Sequence, residues 1–132
     1  GLVPTVSNTR DRIDFVCNCC VCCCGVLQSV KSATRPSMAA HSNFLARVDE
    51  AACVGCGECL RRCPMEAIVQ EDDLARVQPD RCIGCGVCAH FCHAEALTMV
   101  PRAERREPFE NFRALVRRQF EDKIQAGRIG KD

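Results

Sequence analysis

Apolar positions recur along the chain at several spacings, and each spacing predicts a different element. From Pro108 to Ala126, residues Phe109, Phe112, Val116, Phe120 and Ile124 fall three or four apart, with Leu115 beside them. That period predicts an amphipathic helix, opened by Pro108 at its first position and stopped by Gly127. Arg113, Arg117, Arg118 and Lys123 occupy its other side. A shorter run puts Val26, Leu27 and Val30 on one helical face, and Pro36 ends any helix there. Elsewhere the apolar residues come in strand-length pieces. Phe44 to Asp49 predicts a strand, with Leu45–Val48 paired to Leu97–Val100. Ala67–Val69 is expected to pair with Ala75–Val77 through Glu71-Asp72-Asp73. Residues 1–16 read as a polar connector with a few apolar anchors, and 32–43 as a loop. The class is α+β: two small β-hairpins with short helices, flanked by an N-terminal arm (1–43) and a charged linker with a C-terminal helix (101–132).

Between the flanks, residues 44–100 write one phrase twice. Cys53, Cys56, Cys59 and Cys63 stand as C-x2-C-x2-C-x3-C followed by Pro64. Cys82, Cys85, Cys88 and Cys92 repeat that order 29 positions later, followed by His93. The match extends to Gly55/Gly84, Gly57/Gly86, Val54/Ile83 and the tails Ala67-Ile68 and Ala96-Leu97, so it is an internal duplication. Structural zinc sites usually pair two short cysteine knuckles across a longer spacer. Three cysteines at intervals of three, with a fourth four later, suit a four-iron cubane instead. Because the fourth cysteine of such a run ligates the other cluster, the predicted assignment crosses over. One [4Fe–4S] cluster takes Cys53, Cys56, Cys59 and Cys92, and the other Cys82, Cys85, Cys88 and Cys63. Gly55, Gly57, Gly84 and Gly86 let the backbone wrap a cube, while Val54 and Ile83 are expected to shield it from water. The helix carrying Cys59 and Cys63 is expected to set them on one face, with Pro64 stopping it.

Fourteen cysteines in 132 residues also include six outside this core. Cys17-Asn18-Cys19-Cys20-Val21-Cys22-Cys23-Cys24 packs those six into eight positions. Adjacent cysteines seldom bridge one another, and an apolar helix with buried thiols is the plain structural reading. Thiolate preference points to a metal, with a third iron–sulfur cluster expected ahead of zinc. No standard spacing picks the ligands; the set expected is Cys17, Cys20, Cys22 and Cys24. His41 offers another ligand type, although a lone loop histidine is more often solvated.

Charge narrows the function classes. The formal net charge is +1. Two oxidised cubane cores against eight thiolates would carry it to about −3. With no Trp or Tyr to stack bases, nucleic acid is not an expected partner. No apolar segment reaches membrane-spanning length, and no secretory signal stands at the start. The opening Gly1-Leu2-Val3-Pro4 lacks a methionine, which points to a fragment or a processed product. There is no open metal position, nucleophile–base pair or phosphate loop, so no catalytic residue is assigned and the chain is not expected to be an enzyme on its own.

Cys53 to Cys92, with Cys63-Pro64 and the 18 residues between the runs, resembles the bacterial-type two-[4Fe–4S] ferredoxin domain. The resemblance covers Phe44 to Val100, and His93 departs from the family's proline. It implies a ferredoxin-type dicluster fold and one-electron transfer as a subunit or domain serving a larger redox enzyme. The segment from Cys17 to Asp49 more loosely resembles larger multi-cluster ferredoxin-like proteins of anaerobes, in which a CNCC-x-CCC stretch precedes the dicluster domain. A redox partner protein is expected, in a reducing and therefore cytoplasmic setting. The competing class is an iron–sulfur redox or oxygen sensor, or a structural cluster in a binding module. The C-terminal helix is expected to pack on the core, or else to dock a partner.

Overall fold

The computed structural model describes residues 1–40 and 42–125, and for 119, 120 and 122–125 it describes the backbone alone. His41 and the expected terminator Gly127 therefore lie outside the described residues, as do the side chains of Phe120 and Ile124. In chain order the elements are β1 (Val3–Val6), β2 (Val16–Cys19), α1 (Gly25–Ser32) and α2 (Pro36–Ala39). There follow β3 (Phe44–Val48), α3 (Glu58–Arg62), β4 (Ile68–Glu71), β5 (Leu74–Val77), α4 (Val87–His90), β6 (Leu97–Pro101) and α5 (Phe112–Gln125). Three two-stranded sheets pair β1 with β2, β3 with β6, and β4 with β5. The fold is mixed α+β.

The chain forms two compact units, Gly1–Pro4 with Asn18–Arg105, and Thr5–Cys17 with Arg106–Asp132. In the first unit the duplication is visible in the backbone. β5, ahead of the second cysteine run, pairs antiparallel with β4, which follows the first, in the register Ile68↔Val77 to Glu71↔Leu74. β3, ahead of the first run, pairs with β6, which follows the second, from Phe44↔Pro101 to Val48↔Leu97. Each repeat ends in strands that pair with its duplicate's counterpart, which ties the termini of the segment together. The β4–β5 turn is only Asp72-Asp73, both with positive φ (49° and 59°). This two-residue turn is tighter than the three-residue one expected, and its left-handed pair suits the twist of a hairpin. Corresponding hydrogen bonds recur at the same offset: Asp49 N to Ala96 O and Gln78 N to Ala67 O are both 2.7 Å.

The core of this unit mixes small and larger side chains. Ala46, Ala67, Ala75 and Ala96 are buried, alongside Met65, Ile68, Ile83, Val87 and Leu97. Alanines at 46/75 and 67/96 are 29 apart, so the duplication reaches the core packing as well. Leu27 and Val30 of α1 join that core. Val26 does not share their face: it is 73% exposed. A residue one position from Leu27 sits 100° around the helix, and here that rotation carries it to solvent. Pro36, expected only to end a helix, occupies the first turn of α2, where its fixed φ fits. Arg102, assigned by sequence to a charged linker, is a tie: Nε donates to Ser42 O at 3.0 Å and Nη2 to Cys82 O at 2.5 Å. Replacing Arg102 by alanine is expected to cost about 2–3 kcal/mol in chemical denaturation, as charge-assisted bonds to partly buried carbonyls are lost. Lysine at this position is expected to rescue little, because it lacks the planar fork.

The second unit is built where a polar connector was expected. Thr9 bridges Phe109 in a short parallel contact. Around it, Arg10 N donates to Phe109 O at 2.8 Å and Phe109 N to Asn8 O at 3.1 Å. Phe109 is thus held in extended backbone, so the helix cannot begin at Pro108. It begins at Phe112, where Asn111 Oδ1 accepts the Ala114 N–H at 2.9 Å, a side-chain cap that replaces the proline start. Ser7 and Thr9 are buried polar residues with partners, Asp14 N donating to Ser7 Oγ and Thr9 Oγ1 donating to Arg12 O. Among the described residues no helix is long and apolar enough to cross a membrane.

Candidate metal centres

Each ligand loop is shaped by a close backbone approach. Gly55 (φ 65°) and Gly84 (φ 71°) occupy the left-handed region. A Cβ on Gly55 would lie 2.2 Å from Asp73 O, and one on Gly84 would lie 2.3 Å from Phe44 O. Both neighbours are backbone and cannot move aside. Asp73 and Phe44 are themselves 29 apart, so the two loops are braced by corresponding strands. Gln70 Nε2 adds a bond to Gly55 O at 3.1 Å. Gly84→Ala is expected to destabilise the fold by more than the roughly 1–2 kcal/mol of a left-handed alanine, because the carbonyl clash adds to it. Gly25→Ala, where a Cβ meets nothing within 4 Å, is the matched control in thermal melts.

These loops bring eight cysteines around two cavities. One is lined by Cys53, Cys56, Cys59 and Cys92, with Val48, Val54, Ala75, Ala96 and Leu97 forming its apolar wall. The other is lined by Cys63, Cys82, Cys85 and Cys88, with Ala46, Ala67, Ile68, Ile83 and Met99. Each cavity takes three sulfurs from one run and the fourth from the other. The local reason lies at the helix ends. α3 stops at Arg62, and Cys63 is its C-cap with extended backbone (ψ 113°). Cys59 and Cys63 therefore do not share a helical face as expected; Cys63 leaves the helix and enters the second cavity. Alanines on the walls leave the space that larger side chains would fill.

The donor set fits a cationic cluster. Burial, then the Cys85, Cys63 and Cys82 thiolates, push the Cys88 thiol up to about 12. Burial likewise raises Cys85 and Cys59, with neighbouring thiolates adding to it. Without a positive centre Cys59, Cys85 and Cys88 would hold their protons, and as thiolates they need positive charge beside them. The Ala67 N–H points at Cys63 Sγ at 3.2 Å, the kind of backbone bond that offsets negative charge on a ligating sulfur.

The two cavities are not equivalent. Ile83 is buried, but Val54 is 72% exposed, and Cys56 is exposed where Cys85 is only partly so. Val54 lines its cavity without sealing it, contrary to the shielding expected.

The N-terminal cysteines are distributed in two ways. Cys20, Cys22 and Cys23 have sulfurs that all lie within 4.8 Å of one another. Cys17 lies in the second unit, with its Sγ 2.8 Å from Thr5 Oγ1. Cys24 opens α1, its carbonyl accepting the Gln28 N–H at 2.9 Å. The structure thus gathers Cys20 and Cys22 of the expected set, adds Cys23, sets the Cys24 thiol against Cys19, and leaves Cys17 in the second unit. No spacing rule distinguishes Cys23 from its neighbours; the turn that gathers the three is a three-dimensional feature.

Residues 46–100 match the family model described as the 4Fe-4S dicluster domain. No curated protein matches the chain.

Proposed function

We propose, from the premise that residues 46–100 are a 4Fe-4S ferredoxin-type domain, that the protein passes single electrons between redox partners through two crossed clusters. Cys53, Cys56, Cys59 and Cys92 would hold one [4Fe–4S] cluster, and Cys82, Cys85, Cys88 and Cys63 the other. When bound, each cubane supplies a one-electron store with no free coordination position. The lining of the two cavities, four cysteines each drawn from both runs, carries this reading. The rest of the chain supports the role. Apolar side chains, Ile68, Ile83 and Met99 among them, line the second cavity, and Gly55, Gly57, Gly84 and Gly86 shape the loops. The exposed rim at Val54 and Cys56 is the edge at which a partner would exchange electrons with the first centre.

The Cys17–Cys24 stretch would add a third thiolate-held metal centre beside the two, making the chain a relay subunit of a larger oxidoreductase in a reducing, cytoplasmic setting. Anaerobic protein, reduced stepwise and followed by electron paramagnetic resonance, is expected to take up one electron per cluster and release it on reoxidation. A cluster signal that cannot be reduced and reoxidised without loss of the fold would assign the clusters a structural or sensing role instead.

A further inference from the structure

The six N-terminal cysteines do not share one environment, and three of them form a built site. Cys22 Sγ lies 2.9 Å from Cys20 Sγ and 3.5 Å from Cys23 Sγ. The backbone sets this spacing. Cys24 N donates to Cys20 O at 3.1 Å, closing a turn around Val21-Cys22-Cys23. Gln28 Nε2 donates to Cys22 O at 3.0 Å and pins the turn to α1. That helix is in turn anchored by buried Leu27 and Val30. The thiols are therefore positioned from both sides rather than loosely clustered on a tail.

Their spacing distinguishes one ion from a cube. A tetrahedral ion with metal–sulfur bonds of about 2.3 Å places its sulfurs only about 3.8 Å apart. A cubane binds each thiolate through a separate iron, so its ligands stand wider. All fourteen cysteines are described, yet among the described residues only Cys20, Cys22 and Cys23 come together within 4.8 Å as a group of three. The eight cysteines around the two cavities do not.

We propose that Cys20, Cys22 and Cys23 bind a single thiophilic metal ion, Zn2+ or Fe2+, as three thiolates, releasing three protons to solvent. Cys22 and Cys23 are exposed, so the fourth coordination position faces water. The site opens on a groove of about 750 Å³ lined also by Lys31, Arg61, Arg62 and Cys63. Glu58 and Glu66 line the same groove and pair with these cations, Lys31 with Glu66 and both arginines with Glu58, so one positive charge is left in excess beside the thiols. Cys63 also lines the second cavity, so the ion would lie on the side of the centre held by Cys82, Cys85 and Cys88. Iron there would extend the electron path, whereas zinc would close the turn without redox chemistry. The inference rests on the reading of this stretch as a third thiolate-held centre, and it replaces a third cubane with a mononuclear site.

The test uses the whole anaerobic protein with its core clusters in place, offered Zn2+ or Fe2+ separately and without added sulfide. Metal and acid-labile sulfide per chain are measured for the parent, for Cys17→Ser and for the Cys20→Ser/Cys22→Ser/Cys23→Ser triple variant. The expected result is one additional ion in the parent and in Cys17→Ser, none in the triple variant, and unchanged core iron and sulfide in all three. Which ion binds tells a redox site from a structural one. X-ray absorption of the bound ion in the parent is expected to show three sulfurs, a readout that does not depend on the variant folding. About four additional irons with matching sulfide, lost in the triple variant, would overturn the single-ion site and keep a third cluster. No additional metal beside an intact core would overturn both, and leave the two-cluster relay standing.

Discussion

Replacing Cys63 and Cys82 together by serine is expected to leave about four irons per chain, whereas replacing Cys63 and Cys53 together is expected to remove nearly all of them. The two double variants each delete one ligand from two different positions, and only the crossing makes them unequal. Cys63 lines the cavity of Cys82, Cys85 and Cys88, so the first pair damages one centre twice. Cys53 lines the other cavity, so the second pair damages both centres once. If each run instead held its own cluster, the outcomes would exchange. Serine is isosteric and keeps the backbone, which confines the change to the ligand atom. Iron and sulfide per chain, with the visible absorption of the remaining centre, provide the measurement. The same logic applies to Cys92, whose pairing with Cys53 or with Cys82 should reproduce the contrast with the halves reversed.

Stripping the metal from the protein under argon is expected to abolish cooperative folding of the first unit. Besides cysteines, the side chains buried there are four alanines with Val3, Leu27, Val30, Met65, Ile68, Ile83, Val87 and Leu97. A core so small supplies little apolar area, and small domains of this kind depend on metal bonds. Structural metal sites contribute about 10–16 kcal/mol in small folds, comparable with the whole stability of a domain at about 5–15 kcal/mol. Without the metal the eight ligands would also be crowded around two cavities as thiols, with Cys88 holding its proton up to about 12. Loss of strand signal in circular dichroism and rapid proteolysis between residues 44 and 100 are the expected readouts. An apoprotein that kept a sharp thermal transition would show that the sheets and apolar core suffice alone.

The dicluster segment was legible in the sequence because its chemistry and its geometry repeat together. An offset of 29 relates the cysteines, the glycines, the buried alanines and even the strands that brace the loops. Gly84 had to be glycine for a reason the repeat implied and the structure made specific, the Phe44 carbonyl at 2.3 Å from its would-be Cβ. The flanks lacked such redundancy. β1 and β2 went unread because Pro4 interrupts the first and the cysteine run overlaps the second, so that their mutual pairing rather than any alternation defines the strands. The helix start moved from Pro108 to Phe112 because Phe109 is paired with Thr9, a contact separated by a hundred positions that no local pattern records. Val26 and Val54 were expected against apolar surfaces and are exposed, since one apolar residue cannot say which way its backbone turns. Arg102 looked like surface charge and is a tie to Cys82 O. In the N-terminal stretch, composition signalled metal, but only the turn closed by Cys24 N on Cys20 O separated Cys20, Cys22 and Cys23 from the rest.

The central claim, that two runs of cysteines hold iron–sulfur clusters for electron transfer, is tested most directly by metal and sulfide content. In protein purified without oxygen, about eight irons and eight acid-labile sulfides per chain are expected in the core, with reversible bleaching of the visible absorption on reduction. Zinc in their place, without sulfide, would contradict it.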